Sequence, residues 1–237
     1  MNRLTSAQWV LISGLLALLT LTVGGVLSYQ TRDFVLEEFQ VSSLQSAYTN
    51  PAGYVIPAVG TLLSQIILIG VAAVLTRRFV RAFTGTFSRR SLIAGATLVT
   101  SLVLMSVNSV HDIMNTKNWY VHAILAHLAF GLMILSHIMF VQLAMLWQEE
   151  HQPEQRRRLH IDLRWSVLAF VTVLVLFIIP KFTGFDLARA LFDMNVDLIL
   201  GLCEVTYLTL FYISMYRVAA TGSEPADGAL WGEPTSR

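Results

Sequence analysis

Residues 54–76 read YVIPAVGTLLSQIILIGVAAVLT and contain no Asp, Glu, Lys or Arg. An α-helix rising 1.5 Å per residue needs about 20 consecutive apolar residues to cross the hydrocarbon core of a bilayer. The stretch meets that requirement. Runs of the same character follow at 91–110, 119–147, 165–180 and 195–216, and one precedes it at 9–28. Asp, Glu, Lys and Arg within these runs are confined to Asp197 and Glu204. Barrel strands would alternate apolar and polar positions, and these runs do not. The expected fold is therefore all-α, an integral membrane bundle of six transmembrane helices. The first run exceeds the length of a secretory h-region and is read as a retained span.

Composition leads to the same class. Of 237 residues, 55% are hydrophobic and 13% charged, against roughly 25% charged in soluble domains. A water-soluble enzyme and a disordered chain are excluded on that ground. A net charge of +1 supplies no basic footprint for nucleic acid. The single cysteine, Cys203, rules out an intrachain disulfide, a CxxC pair and a four-cysteine metal cluster.

Loop cations set the orientation. Arg3, Arg77, Arg78, Arg81, Arg89, Arg90, Arg156, Arg157, Arg158, Arg164, Arg217 and Arg237 fall on one side of a six-span chain. Arg32, Lys117, Lys181 and Arg189 fall on the other. Twelve against four puts both termini in the cytoplasm. Trp9, Tyr54, Trp119, Tyr120, Trp147, Trp165 and Tyr216 sit at span ends, as an interfacial aromatic belt requires. Residues 1–217 form the membrane domain. Residues 218–237, rich in Gly, Pro and Ser, read as a disordered cytoplasmic tail. Spans one to three do not resemble spans four to six, so an inverted-repeat transporter gains no support.

Ionisable groups inside a membrane are functional candidates by default. Asp197, Gly201 and Glu204 share one face of span six. Span four carries His122, His127 and His137, with Ala123, His127 and Gly131 in one stripe. Span three ends with Asn108, followed by His111 and Asp112; span two has Ser64 and Gln65 at mid-depth. The expected polar cluster is Gln65, Asn108, His111, His122, His127, Asp197 and Glu204, in the outer half, with Glu204 bonded to a polar group of another span and His127 its favoured partner. A structural role, locking helices together, accounts for the same residues as well as a chemical one.

No metal or cofactor is expected. His122 and His127 stand about 140° apart around a helix, and no HExxH occurs. Haem would need facing histidines on separate helices. A retinal Schiff base is excluded because Lys117 and Lys181, the only lysines, lie at span ends or in loops.

Between spans two and three, Arg77, Arg78, Arg81, Arg89 and Arg90 interleave with Phe79, Phe83 and Phe87. The phenylalanines recur every fourth residue, as in a short interfacial helix that buries its aromatics and presents arginines to anionic head groups. Ordinary positive-inside topology explains the arginines equally.

Three segments carry a family resemblance. The first loop contains Ser42-Ser43-Leu44-Gln45-Ser46-Ala47 and then Asn50-Pro51 before span two. Span four opens with His122-Ala123-Ile124-Leu125-Ala126-His127-Leu128-Ala129-Phe130-Gly131, and span six embeds Glu204. In these features the chain resembles the FRAG/DRAM/SFK family, whose module is also called the CWH-like N-terminal domain. It departs from the family in lacking Ile-Ser-Asp before the proline and in having Val205 where an aromatic is common. A prokaryotic six-span family has a similar loop and a similar histidine-led fourth span. The resemblance implies six spans, cytoplasmic termini and a role in lipid organisation or its regulation, with no catalytic mechanism attached.

The leading expectation is thus a non-enzymatic lipid-organising or regulatory membrane protein, its partners membrane lipids with anionic head groups. The alternatives are a membrane-embedded enzyme acting on a lipid head group or acyl ester through His122, His127, Asp197 and Glu204, and a proton-coupled carrier using Glu204. An enzyme needs such groups converging in a wet cavity. A scaffold needs each satisfied by neighbouring helices.

Overall fold

The structure is a computed structural model, and it describes residues 4–30, 44–45, 50–51, 53–114, 119–151, 156–173 and 196–221. Six helices account for nearly all of them: α1 (Ser6–Gln30), α2 (Val55–Ala82), α3 (Gly85–Ile113), α4 (Trp119–His151), α5 (Arg156–Val173) and α6 (Val196–Ala220). Four segments, Ser6–Leu27, Val55–Ala82, Gly85–Ile113 and Ile124–His151, are long and apolar enough to cross a membrane. Large apolar side chains such as Leu15 and Leu19 on α1 stand more than half exposed. That is the arrangement of a lipid-facing surface rather than a wetted one. Of the run 165–180, residues 165–173 are helical and the remainder lies outside the described residues, as does the tail beyond 221.

The helices outrun the apolar stretches that mark them. α2 continues past Thr76 to Ala82, and α3 begins at Gly85 rather than at 91. Arginine is a good helix former, and its long side chain reaches water from a helix buried below. Loss of hydrophobicity therefore does not end the helix. The break comes from the backbone: Phe83 and Thr84 are extended, and Gly85 adopts φ +58°, a left-handed value that glycine reaches without a Cβ penalty. The interfacial helix expected over 77–90 is consequently replaced by two long helices joined through two residues. Phe79 is buried in the bundle, its ring 6.1 Å from that of Phe140. Phe87 alone of the three phenylalanines is exposed.

Small residues bring the first three helices together. Gly60 of α2 lies so close to Thr20 of α1 that a Cβ there would overlap the threonine side chain, and Gly95 of α3 stands in the same relation to Thr76 of α2. Close backbone approach of this kind is how helices gain packing enthalpy where lipid removes the hydrophobic drive to associate. The core beneath is formed by Leu75, Phe79, Leu98, Leu102, Met133, Phe140, Tyr207, Phe211 and Met215, all nearly inaccessible.

A polar clasp closes one end of the bundle around the C-terminus of α6. Arg78 Nη1 donates to the carbonyls of Ala219 (3.0 Å) and Thr221 (2.7 Å), groups that a helix end leaves without intrahelical partners. Gln148, near the end of α4, donates weakly to Thr221 Oγ1 at 3.4 Å. Arg217 pairs with Asp162, in the second turn of α5. The ends of α2, α4 and α6 therefore meet the start of α5, with the start of α3 beside them across the two-residue turn. Contacts of Thr20 with Gly60 and of Gly24 with Pro57 run α1 antiparallel to α2, which brings the start of α1 to the same end.

Candidate functional site

At the opposite end, α3 and α4 pack antiparallel and present polar side chains to each other. Asn108 and Asp112 are four residues apart, so they occupy one face of α3. His122, near the start of α4, faces them. Its Nδ1 lies 2.9 and 3.0 Å from the two Asp112 oxygens. Both side chains are 2% exposed. Nδ1 is assigned as the N–H donor, because a carboxylate offers only acceptors. His111 Nδ1 stands 3.5 Å from Asp112 Oδ1 at the more accessible edge of the cluster.

Asn108 Nδ2 lies 3.2 Å from the same His122 Nδ1. Two N–H donors cannot satisfy one another. Amide oxygen and nitrogen exchange places at almost no steric cost, so hydrogen bonding favours Oδ1 toward His122 and the NH2 turned away from it.

Asn108 also lines a cavity of about 50 Å³ whose wall draws on α1, α2, α3, α4 and α6. Its polar wall is made of Gln45, Thr61, Gln65, Asn108 and Tyr212; Leu21, Leu102, Phe130, Met133 and Phe211 are among its apolar neighbours. Among the described residues, one amide atom of Gln65, one of Asn108 and the Thr61 hydroxyl are buried without a hydrogen-bond partner. Thr61 and Gln65, four apart, share a face of α2. Gln45 comes from the segment between α1 and α2, where Asn50 Nδ2 donates to the Leu44 carbonyl at 2.8 Å and Asn50 Oδ1 accepts from the Gly53 N–H. Below the cavity a chain of hydroxyls links three helices: Tyr212 Oη to Ser64 Oγ at 2.7 Å, and Ser64 Oγ to Ser13 Oγ at 2.7 Å.

Of the expected cluster, Gln65 and Asn108 line one cavity, His122 adjoins it through Asn108, and His111 sits beside Asp112. His127 is exposed on α4 and Glu204 is half-buried on α6. The Asp197 side chain lies outside the described residues. His137 is buried deeper, its Nδ1 3.2 Å from Tyr207 Oη. Asp112, the residue that anchors the cluster, lies beyond the apolar run 91–110, and α3 carries it into the bundle by extending to Ile113. Its four-residue spacing from Asn108 was the available signal. The four-residue spacing of Thr61 and Gln65 was another.

Among the described residues, no three His, Cys, Asp or Glu side chains converge as a metal site would. At the arginine-rich end, Arg77, Arg81, Arg89 and Arg90 are exposed, and the Arg90 guanidinium lies 5.4 Å from the Phe87 ring centre. Arg78 is half-buried and committed to α6. No acidic residue occurs between 55 and 111. Compared with protein-family models, with curated proteins and with solved structures, the chain finds no match.

Proposed function

We propose that this chain is a six-span integral membrane protein with both termini in the cytoplasm, acting as a non-enzymatic lipid-organising or regulatory factor that engages anionic head groups. The observation that carries this reading is the tip of the α2–α3 hairpin. Two turn residues bring exposed Arg77 and Arg81 next to exposed Arg89 and Arg90, and neither helix offers an acid nearby to neutralise them. Each basic residue at an anionic leaflet contributes about 1 kcal/mol. The cytoplasmic assignment is supported by the gathering of helix ends at this arginine-rich end of the bundle. The lipid role agrees with the resemblance to the FRAG/DRAM/SFK family.

The test is lipid co-purification of the full chain from mixed phosphatidylcholine and phosphatidylglycerol membranes. Replacing Arg77, Arg81, Arg89 and Arg90 together by Gln should abolish enrichment of the anionic lipid at low salt. Unchanged enrichment would remove the proposal and leave the arginines a topological role. Cysteine labelling at positions 35 and 155 from opposite sides tests the topology.

A second reading, an enzyme acting on a lipid head group or acyl ester, draws support from Asp112 and His122. A carboxylate holding Nδ1–H is the arrangement that prepares an imidazole as a general base. The adjoining cavity weighs against it: about 50 Å³ is a third of the roughly 150 Å³ that admits benzene. Turnover of a lipid ester, lost in His122→Ala, would favour the enzyme.

A further inference from the structure

We infer that the central cavity is a water site, and that its water bridges Asn108 of α3, beside the Asp112–His122 pair, to Thr61 and Gln65 of α2. The inference is independent of the lipid proposal, since it concerns the other end of the bundle.

The argument starts from unsatisfied groups. Gln65 and Asn108 are 3% and 6% exposed. Each leaves an amide atom without a partner at the cavity wall, as Thr61 leaves its hydroxyl. An apolar occupant, such as an acyl chain end, would leave all three buried and unpaired. A cation would want oxygen ligands alone. The hydrogen bonding of His122 turns the Asn108 NH2 toward the cavity, and an NH2 repels a cation. One donor facing two acceptors is instead the complement of water. Its oxygen accepts from the Asn108 NH2, and its hydrogens go to Gln65 Oε1 and Thr61 Oγ1. Buried waters typically make about three such bonds, and a water takes about 30 Å³ in the liquid, so a cavity of about 50 Å³ has room.

Tyr212 forms part of the same wall, and its Oη is bonded to Ser64. Water in the cavity therefore links α3 to α2 through Asn108, Thr61 and Gln65, with the Tyr212–Ser64–Ser13 hydroxyl chain beside it. The site binds water, and its role is to tie α2 to α3 where both bury amide side chains.

Solid-state NMR on the full chain in phosphatidylcholine vesicles tests this directly. Magnetisation should pass from water to the side-chain amide protons of both Gln65 and Asn108. Transfer from lipid acyl protons instead, or none to either amide, would overturn the inference. A double-variant cycle gives a second reading. Thr61→Val and Asn108→Leu have no direct hydrogen bond to lose between them. If a water bridges the two residues, the pair together should shift the unfolding equilibrium constant at least about threefold less than the product of the single shifts. Strict multiplicativity would count against the bridge.

Discussion

His122 donates its Nδ1–H to both oxygens of the Asp112 carboxylate, at 2.9 and 3.0 Å, across the antiparallel junction of α3 and α4. The junction has almost no water to replace either partner, since both side chains are 2% exposed. Removing one therefore strands the other. Asp112→Ala and His122→Ala should each destabilise the protein by about 3–5 kcal/mol in denaturant unfolding. The double variant should cost distinctly less than the two singles combined. Additive losses would mean the pair is not a unit.

Arg78 gives a contrasting test of the arginine cluster. Its guanidinium serves the free carbonyls at the end of α6. Arg78→Met should cost about 1.5–3 kcal/mol, the range for hydrogen bonds to a charged group, and should speed amide exchange in the last turn of α6. Arg81→Met should do neither, because Arg81 is exposed. Equal effects from the two variants would refute the clasp.

The close approaches at Gly60 and Gly95 are equally open to test. A methyl group at either site meets a threonine held to its own helix, Thr20 through the Leu16 carbonyl and Thr76 through the Ala72 carbonyl. Gly60→Ala and Gly95→Ala should each cost about 1–3 kcal/mol through overpacking. Gly70, with nothing near its Cβ direction, should accept alanine without loss, and even gain slightly in helix propensity. Thermal unfolding in detergent would rank the three.

Asp162 makes stability depend on pH. Burial raises its carboxyl above the ordinary value, and the hydrogen bond and charge of Arg217 pull it back only in part. A raised folded value means the folded state holds the proton more tightly than the unfolded chain does. The contribution is thus full below the ordinary carboxyl value of about 3.9 and is lost as pH rises through the folded value. Asp162→Asn should flatten that part of a melting-temperature profile. Arg217→Gln removes the opposing pull, so the decline should move to higher pH. A shift to lower pH would contradict the assignment.

The sequence disclosed what depends on local pattern and hid what depends on facing. Apolar runs mark helices because a membrane demands length and little else, and the described helices overlie those runs. The continuation of α2 through Arg77, Arg78 and Arg81 was not legible, because hydrophobicity ends where helix propensity does not. Five arginines look alike in the chain, yet Arg78 alone turns inward, a choice made by α6 from far along the sequence. Gln65 and Asn108 were legible as buried polar residues in apolar runs. Their shared cavity was not, for it depends on the rotation of α2 against α3 that Gly95 and Thr76 set.

The two-residue turn at Phe83 and Thr84 has a mechanical meaning as well. With no slack between them, α2 and α3 cannot slide or separate without unwinding a turn of one. The pair is a single stiff strut. The register that Gly95 and Thr76 share is thereby held from the turn as well as from the close contact itself.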